Sequence, residues 1–211
     1  AGKTLIGTKH SRGNMDSGRA DGLRALAVVV GLAVAAGLVG YAVVAGVPAW
    51  GATGDSPGAN ATLDEGTVEE LIVEEVNDRR AEEGLAAVEP DPGIAAVARN
   101  HSADMAEREY YAHETPDGAG PADRLDEAGV DCGAVGENIA TTWYREPVET
   151  EDGTERYDSA EALAAGLVAQ WERSRPHRAN MLDPRWELTG VGVETVGDEV
   201  IATQMFCTVP R

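Results

Sequence analysis

Trp171-Glu-Arg-Ser-Arg-Pro-His177-Arg-Ala-Asn-Met-Leu182 is the stretch on which the reading of this chain turns. Upstream of it Leu163, Leu167 and Trp171, with Ala160, Ala164 and Val168, recur at helical spacing. A helix is therefore expected from Ser159 to Arg173, delivering His177 just past its end. Further back, Gly136-Glu137-Asn138-Ile139-Ala140 opens a β-like segment, Cys132–Trp143, in which Val135, Ile139 and Trp143 are the apolar points. Before that, Tyr111-Ala-His113-Glu-Thr-Pro-Asp-Gly118 places a histidine at a helix end followed by a tight turn. The chain has four histidines, and two of them lie beside Pro/Gly-type turns, where a side chain can be aimed into a cleft.

The remaining elements follow from periodicity and punctuation. Thr67 with Glu70 three positions on reads as a helix cap, and Val68, Leu71, Ile72, Val76 and Leu85 form the apolar stripe of a helix stopped by Gly84. Pro90-Asp-Pro-Gly93 precedes a second helix, Ile94 to Tyr111, with Ala95, Ala98, Met105 and Tyr110 as core contacts. A short third helix is expected at Pro121–Ala128, ended by Gly129. Arg145–Asp158 shows no periodicity and reads as an exposed loop. Leu188–Val196 and Glu199–Val209 alternate around Gly197-Asp198, which suits a β-hairpin. Helices around a small, mainly antiparallel sheet, an α+β fold, follow from this order.

The N-terminal quarter differs in kind. No charged residue occurs from Ala25 to Gly54, and Ala25–Trp50 is almost entirely Ala, Val, Leu and Gly. At about 1.5 Å per residue such a helix reaches roughly 39 Å, enough to cross a ~30 Å hydrocarbon core. A buried soluble helix would be shorter and show a polar face. A cleaved signal peptide has small residues available near Ala45–Ala49 but normally a much shorter apolar core. The expected organisation is a basic cytoplasmic tail (1–24), a retained transmembrane anchor (25–50), a Gly/Ala/Ser/Pro-rich tether (51–62) and an extracellular domain (63–211). The tail holds five bases against two acids, and the part beyond the span holds 35 acids against 12 arginines. The positive-inside rule sets the orientation. Cys132 and Cys207 both fall in the outer part, where they are either a disulfide closing a loop of about 75 residues or two buried thiols. Asn60-Ala-Thr62 and Asn100-His-Ser102 are sequons, Asn60 in the tether and Asn100 in a helix.

His113-x-x-Pro-Asp-Gly, Gly-Glu137-Asn-Ile and Trp171…Pro-His177-Arg-x-Asn-Met-Leu, in this order, resemble the CAP superfamily. That is the cysteine-rich secretory protein, antigen 5 and pathogenesis-related-1 (SCP-like) group, here in its bacterial and archaeal YkwD-type branch. The resemblance covers about residues 63–211. It implies a three-layer α-β-α sandwich with an open cleft, in which His113, Glu137 and His177 match the family's cleft histidines and strand glutamate. One position departs from the pattern. A glutamate expected three residues after the helix tryptophan is Ser174 here. Glu172, the fourth candidate, follows Trp171 directly and lies about 100° around the helix, so it is expected to point elsewhere.

Two imidazoles and a carboxylate suit Zn²⁺ with an open water position, His113 and His177 being the metal ligands. Calcium would ask for six to eight oxygens. Glu137 is the candidate general base, or alternatively fixes a histidine tautomer in a polar network. No Ser-His-Asp set, HExxH helix or reactive-cysteine signature is present. His101, on the same expected helix as His113, reads as a core residue, and His10 lies on the cytoplasmic side. The expectation is a membrane-anchored binding module for a lipid, peptide or cell-surface glycan. The alternative is a metal-dependent hydrolase of envelope components.

Charge narrows this further. The 211 residues carry 37 acids and 17 bases, a net charge of −20 and a pI near 4.4, which excludes a nucleic-acid binder. Lysine occurs only at positions 3 and 9, and Phe206 is the sole phenylalanine. Such an acid load repels itself in dilute buffer and is associated with halophilic proteins. The midpoint of thermal unfolding is expected to rise between 0.1 and 2 M KCl; a fall over that range would contradict a high-salt origin.

Overall fold

The computed structural model describes residues 63–151 and 153–210. The expected basic tail, anchor and tether, with His10 and Asn60, lie outside the described residues, and no described helix is long and apolar enough to cross a membrane.

Helix α1 spans Glu65–Glu82 and buries Val68, Ile72 and Val76, the stripe expected from sequence. Its start differs from expectation. Asp64, with extended backbone, is the cap residue, and Thr67 instead donates its hydroxyl to the Asp64 carboxylate at 2.8 Å. Helix α2 spans Pro92–Glu107, two residues earlier than expected, because the Asp91 carboxylate accepts from the Gly93 and Ile94 amides. Short α3 (Pro121–Glu127), α4 (Ala160–Arg173, capped by Ser159 Oγ) and α5 (Arg175–Met181) complete the helices.

Four strands form the main sheet in the order β1-β5-β6-β2: β1 (Glu89–Pro90), β2 (Val135–Trp143), β5 (Leu188–Val196) and β6 (Glu199–Cys207). Only β1 against β5 is parallel. The segment read as a loop from Arg145 contains a two-stranded ribbon, β3 (Pro147–Thr150) and β4 (Gly153–Arg156). Both faces of that ribbon stay largely open, so no apolar alternation marks it in the sequence.

Side-chain alternation on β6 divides the core. Val200, Ala202 and Phe206 pack with Val191, Val193 and Ala140 against α1 and α4, including Leu163, Leu167 and the fully buried Trp171. Ile201, Met205 and Cys207 point the other way, onto α2 and α3. The α-β-α layering is thus set by the period-2 pattern of β5 and β6. On the α2 face, β5 presents Gly190 and Gly192. A Cβ at Gly192 would fall 2.0 Å from the Arg99 amide nitrogen, so helix backbone lies directly on strand backbone. Ser102 ties that contact by donating to Gly192 O and accepting from the Thr203 hydroxyl, each at 2.9 Å.

Beyond β1 the edge of β5 is closed by a side chain. Glu69 of α1 accepts from the Val193 amide at 3.0 Å and from Arg99 Nε of α2 at 2.9 Å, joining both helical layers around the sheet edge. Cys132 and Cys207 form a disulfide with Cα atoms 5.5 Å apart, fastening the approach to β2 onto the end of β6. On the chain-entropy account a loop of this length contributes about 4 kcal/mol.

Candidate functional site

The site grows from β2, the other edge of the sheet. Successive residues of a strand point to opposite faces, so Glu137 faces the α2 layer and Asn138 faces α4 and α5. The outward carbonyls of this edge are taken by side-chain donors: Asn180 Nδ2 to Glu137 O (2.9 Å) and Trp171 Nε1 to Ile139 O (3.0 Å).

On the α2 side, the helix stops at Glu107, and Glu109 adopts a left-handed conformation with φ of 54°. The expected continuation to Tyr111 is therefore absent, and His113 stands in the following loop rather than on the helix of His101. His113 Nδ1 lies 2.8 Å from Glu137 Oε1. Glu137 Oε2 is bound by Arg124 Nη2 of α3, and Arg124 Nη1 also donates to His113 O (2.8 Å) and Ala119 O (3.1 Å). The side chains of Glu137 and Arg124 are 2% and 9% exposed, whereas that of His113 is 49% exposed. A carboxylate can only accept, so this contact assigns the proton of neutral His113 to Nδ1 and leaves the lone pair on Nε2.

On the other side His177 belongs to α5, a helix the sequence reading did not expect. Pro176 there looks like a breaker, but it occupies the first turn, where its missing N–H costs nothing. Side-chain hydrogen bonds hold α5 on β2 and against α1. Asn138 Nδ2 donates to His177 O (3.1 Å), and Asn180 Nδ2 also reaches Asn138 Oδ1 (3.1 Å). Fully buried Arg80 donates from Nη1 to Met181 O (2.7 Å) and Asp183 O (3.0 Å), satisfying carbonyls at the C-terminal end of α5. The His113 and His177 rings meet edge to face with centroids 6.4 Å apart. Burial, and then the neighbouring His113, push the His177 pKa below the usual histidine value, which favours the neutral imidazole.

The other candidates are placed differently. Glu172 is 3.3 Å from Arg79 Nε of α1, away from the two histidines. His101 is buried, as a core residue would be, but it also lies beside the site. Its Nε2 is 3.1 Å from Ala112 O and 3.9 Å from Glu137 Oε1. Asn100 is exposed on α2, while Ser102 of its sequon is buried. Arg124, Asn138, Asn180 and Arg80 escaped the sequence reading. For the two asparagines the signal was available, since both sit inside the quoted motifs.

The donor set for a metal is thin. Among the described residues no group of three or more His, Cys, Asp or Glu side chains could hold an ion. Both Glu137 oxygens already accept a hydrogen bond and the side chain is 2% exposed, which restricts its access to an ion or a water. With Zn–N bonds of about 2 Å, two imidazoles on one tetrahedral ion would have centroids about 5 Å apart. The observed 6.4 Å requires about 1 Å of approach. Two imidazoles are thus at most a partial set, and an ion held by them would need its remaining ligands from water or a bound molecule.

A sheet between two helical layers, with paired histidines at one edge, defines an SCP-type domain. The chain belongs to the CAP, or cysteine-rich secretory protein, family, whose model matches residues 73–206. Its relatives place it in the bacterial YkwD-type branch. It is 30% identical over 138 residues to the uncharacterized protein YkwD of Bacillus subtilis, covering 65% of this chain and 46% of that one. It is 33% identical over 128 residues to the uncharacterized membrane protein YlbC of the same organism, covering 61% and 32%. The chain thus spans less than half the length of either relative. Among solved structures, an extracellular SCP-domain protein of Bacillus anthracis superposes with a TM-score of 0.53 at 27% identity, covering 69% of this chain and 41% of that one. An outer surface protein of Borrelia burgdorferi shares the fold at 16% identity and a TM-score of 0.57, covering 71% and 98%.

Removing one partner of a buried ion pair strands the other charge. Arg124→Met is therefore expected to cost about 3 kcal/mol in urea unfolding. His113→Asn, at a half-exposed position, should cost under about 1 kcal/mol. Equal costs would contradict the buried pair as the anchor of the site.

Proposed function

We propose that residues 63–211 act as an extracytoplasmic binding domain, tethered to a membrane through residues 25–50. In this reading the cleft between His113 and His177 takes a lipid, peptide or glycan ligand, with a divalent ion, zinc first, bridging ligand and imidazoles. The observation that carries it is the state of Glu137. Its oxygens are committed to His113 Nδ1 and Arg124, so it orients an imidazole instead of activating water. What the cleft offers a ligand is the His113 ring, half exposed, and the neutral ring of His177. Zinc would be held by these two rings and would supply a Lewis-acidic position for a ligand oxygen. The names of two relatives, a membrane protein and an extracellular one, agree with the proposed location. The acidic surface suits the high-salt setting expected from composition.

A metal-dependent hydrolase is the second reading. It is favoured by the lone pair that His113 keeps on Nε2, the atom open to a metal ion, in which case a metal-bound water would serve as base in place of Glu137. Calorimetric titration with Zn²⁺ tests the metal part: micromolar binding by the wild type, lost in His113→Ala and His177→Ala, is expected. Identical traces for all three proteins would end it. Turnover of envelope material abolished by chelator and by both variants would favour the hydrolase over the binder.

A further inference from the structure

Four cavities of roughly 390 to 530 Å³ mark the surface of the described domain, and three of them carry arginine in their walls: Arg108 and Arg124, Arg99, and Arg173. The fourth, about 390 Å³, does not. It opens where α2 ends short of the β5–β6 turn and leaves the sheet uncovered. Met105, Ala106 and Ile201 supply apolar wall, Tyr110 and Tyr111 add aromatic rings, and Glu109 and Glu199 supply two carboxylates. Among the described residues neither carboxylate has a cationic partner within ion-pair distance. Glu199 accepts one hydrogen bond, from Thr141 Oγ1 at 3.3 Å. Tyr111 is 51% exposed, and Val196, 54% exposed, adds apolar wall from the β5–β6 turn. Arg108 stands 6.0 Å over the Tyr110 ring but lines the neighbouring cavity.

We propose that this groove is a site for an organic cation, an alkylated ammonium group, distinct from the His113–His177 cleft. The chemistry selects that class among small ligands. Aromatic faces attract cations through their quadrupole, and an alkylated ammonium brings methyl groups that suit apolar walls. Two carboxylates without a counter-ion repel anions and leave a neutral apolar ligand with nothing to offset their desolvation. A bare metal ion finds only two carboxylates and no histidine there. The left-handed backbone at Glu109, φ 54°, is what turns the chain at the rim and brings Glu109, Tyr110 and Tyr111 together at the groove.

Choline and its neutral isostere 3,3-dimethyl-1-butanol separate charge from shape. Each is titrated into the full chain at constant ionic strength, and amide resonances of Ala106, Tyr111 and Ile201 are followed by NMR. Saturable shifts confined to this groove are expected with choline, with affinity at least tenfold weaker for the alcohol. Tyr111→Ala and Glu199→Gln should each weaken choline at least threefold while leaving His113 and His177 resonances in place. Equal binding of the two compounds would overturn the proposal. So would choline shifts spread over the acidic surface, or shifts indifferent to both substitutions.

Discussion

One carboxylate organises this domain. Glu137 is almost wholly withdrawn from water, and its two oxygens are divided between an imidazole and a guanidinium that come from different segments of the chain. A buried carboxylate is tolerable only when it is paired and hydrogen-bonded, so the loop carrying His113 and the helix carrying Arg124 are obliged to converge on β2. Arg124 also binds the carbonyl of His113 itself. The same guanidinium therefore neutralises the glutamate and sets the backbone of the histidine that the glutamate orients.

The second histidine rests on a different device. Asn138, the neighbour of Glu137, points to the other face of the sheet and takes the backbone of His177, while buried Arg80 of α1 takes the carbonyls at the end of α5. Two consecutive residues of one edge strand thus serve the two histidines from opposite layers. What keeps those layers in register lies at the far edge: Glu69 bridging α1, α2 and β5, and the backbone-to-backbone contact of α2 with Gly190 and Gly192. The two histidines are thus positioned by rigid elements and polar clamps on both sides of the edge strand.

Much of this was legible, and the reasons differ by element. The α4 stripe and the β5–β6 hairpin could be read because one face of each is buried, which writes a period into the sequence. The ribbon β3–β4 buries almost nothing and left no period to read. Helix α5 was hidden by Pro176, whose meaning depends on which turn of a helix it occupies. His113 and His177 stood out as a rare residue type beside turns, and Glu137 by its place in an ordered motif. Arg124 did not, because an arginine in a short polar helix reads as a solvated residue until the strand glutamate opposite it is known. His101 carried a core signal and does sit in the core, yet its Nε2 also lies 3.9 Å from Glu137 Oε1, a proximity that only the placing of α2 over the sheet reveals. The charge resolved differently again. The acids are spread over helix faces and loops, and they leave the cleft's own chemistry to one buried pair.

The central claim, that Glu137 acts by orienting a histidine, is tested most directly by ¹⁵N-histidine NMR of the protein across the pH range 5 to 8. Neutral His113 is predicted to carry its proton on Nδ1, with Nε2 unprotonated, and to lose that preference in Glu137→Gln. His177 is predicted to titrate below the ordinary histidine value of about 6.5, because burial favours its neutral form. A His113 protonated at Nε2, or one whose tautomer is indifferent to Glu137→Gln, would contradict the account.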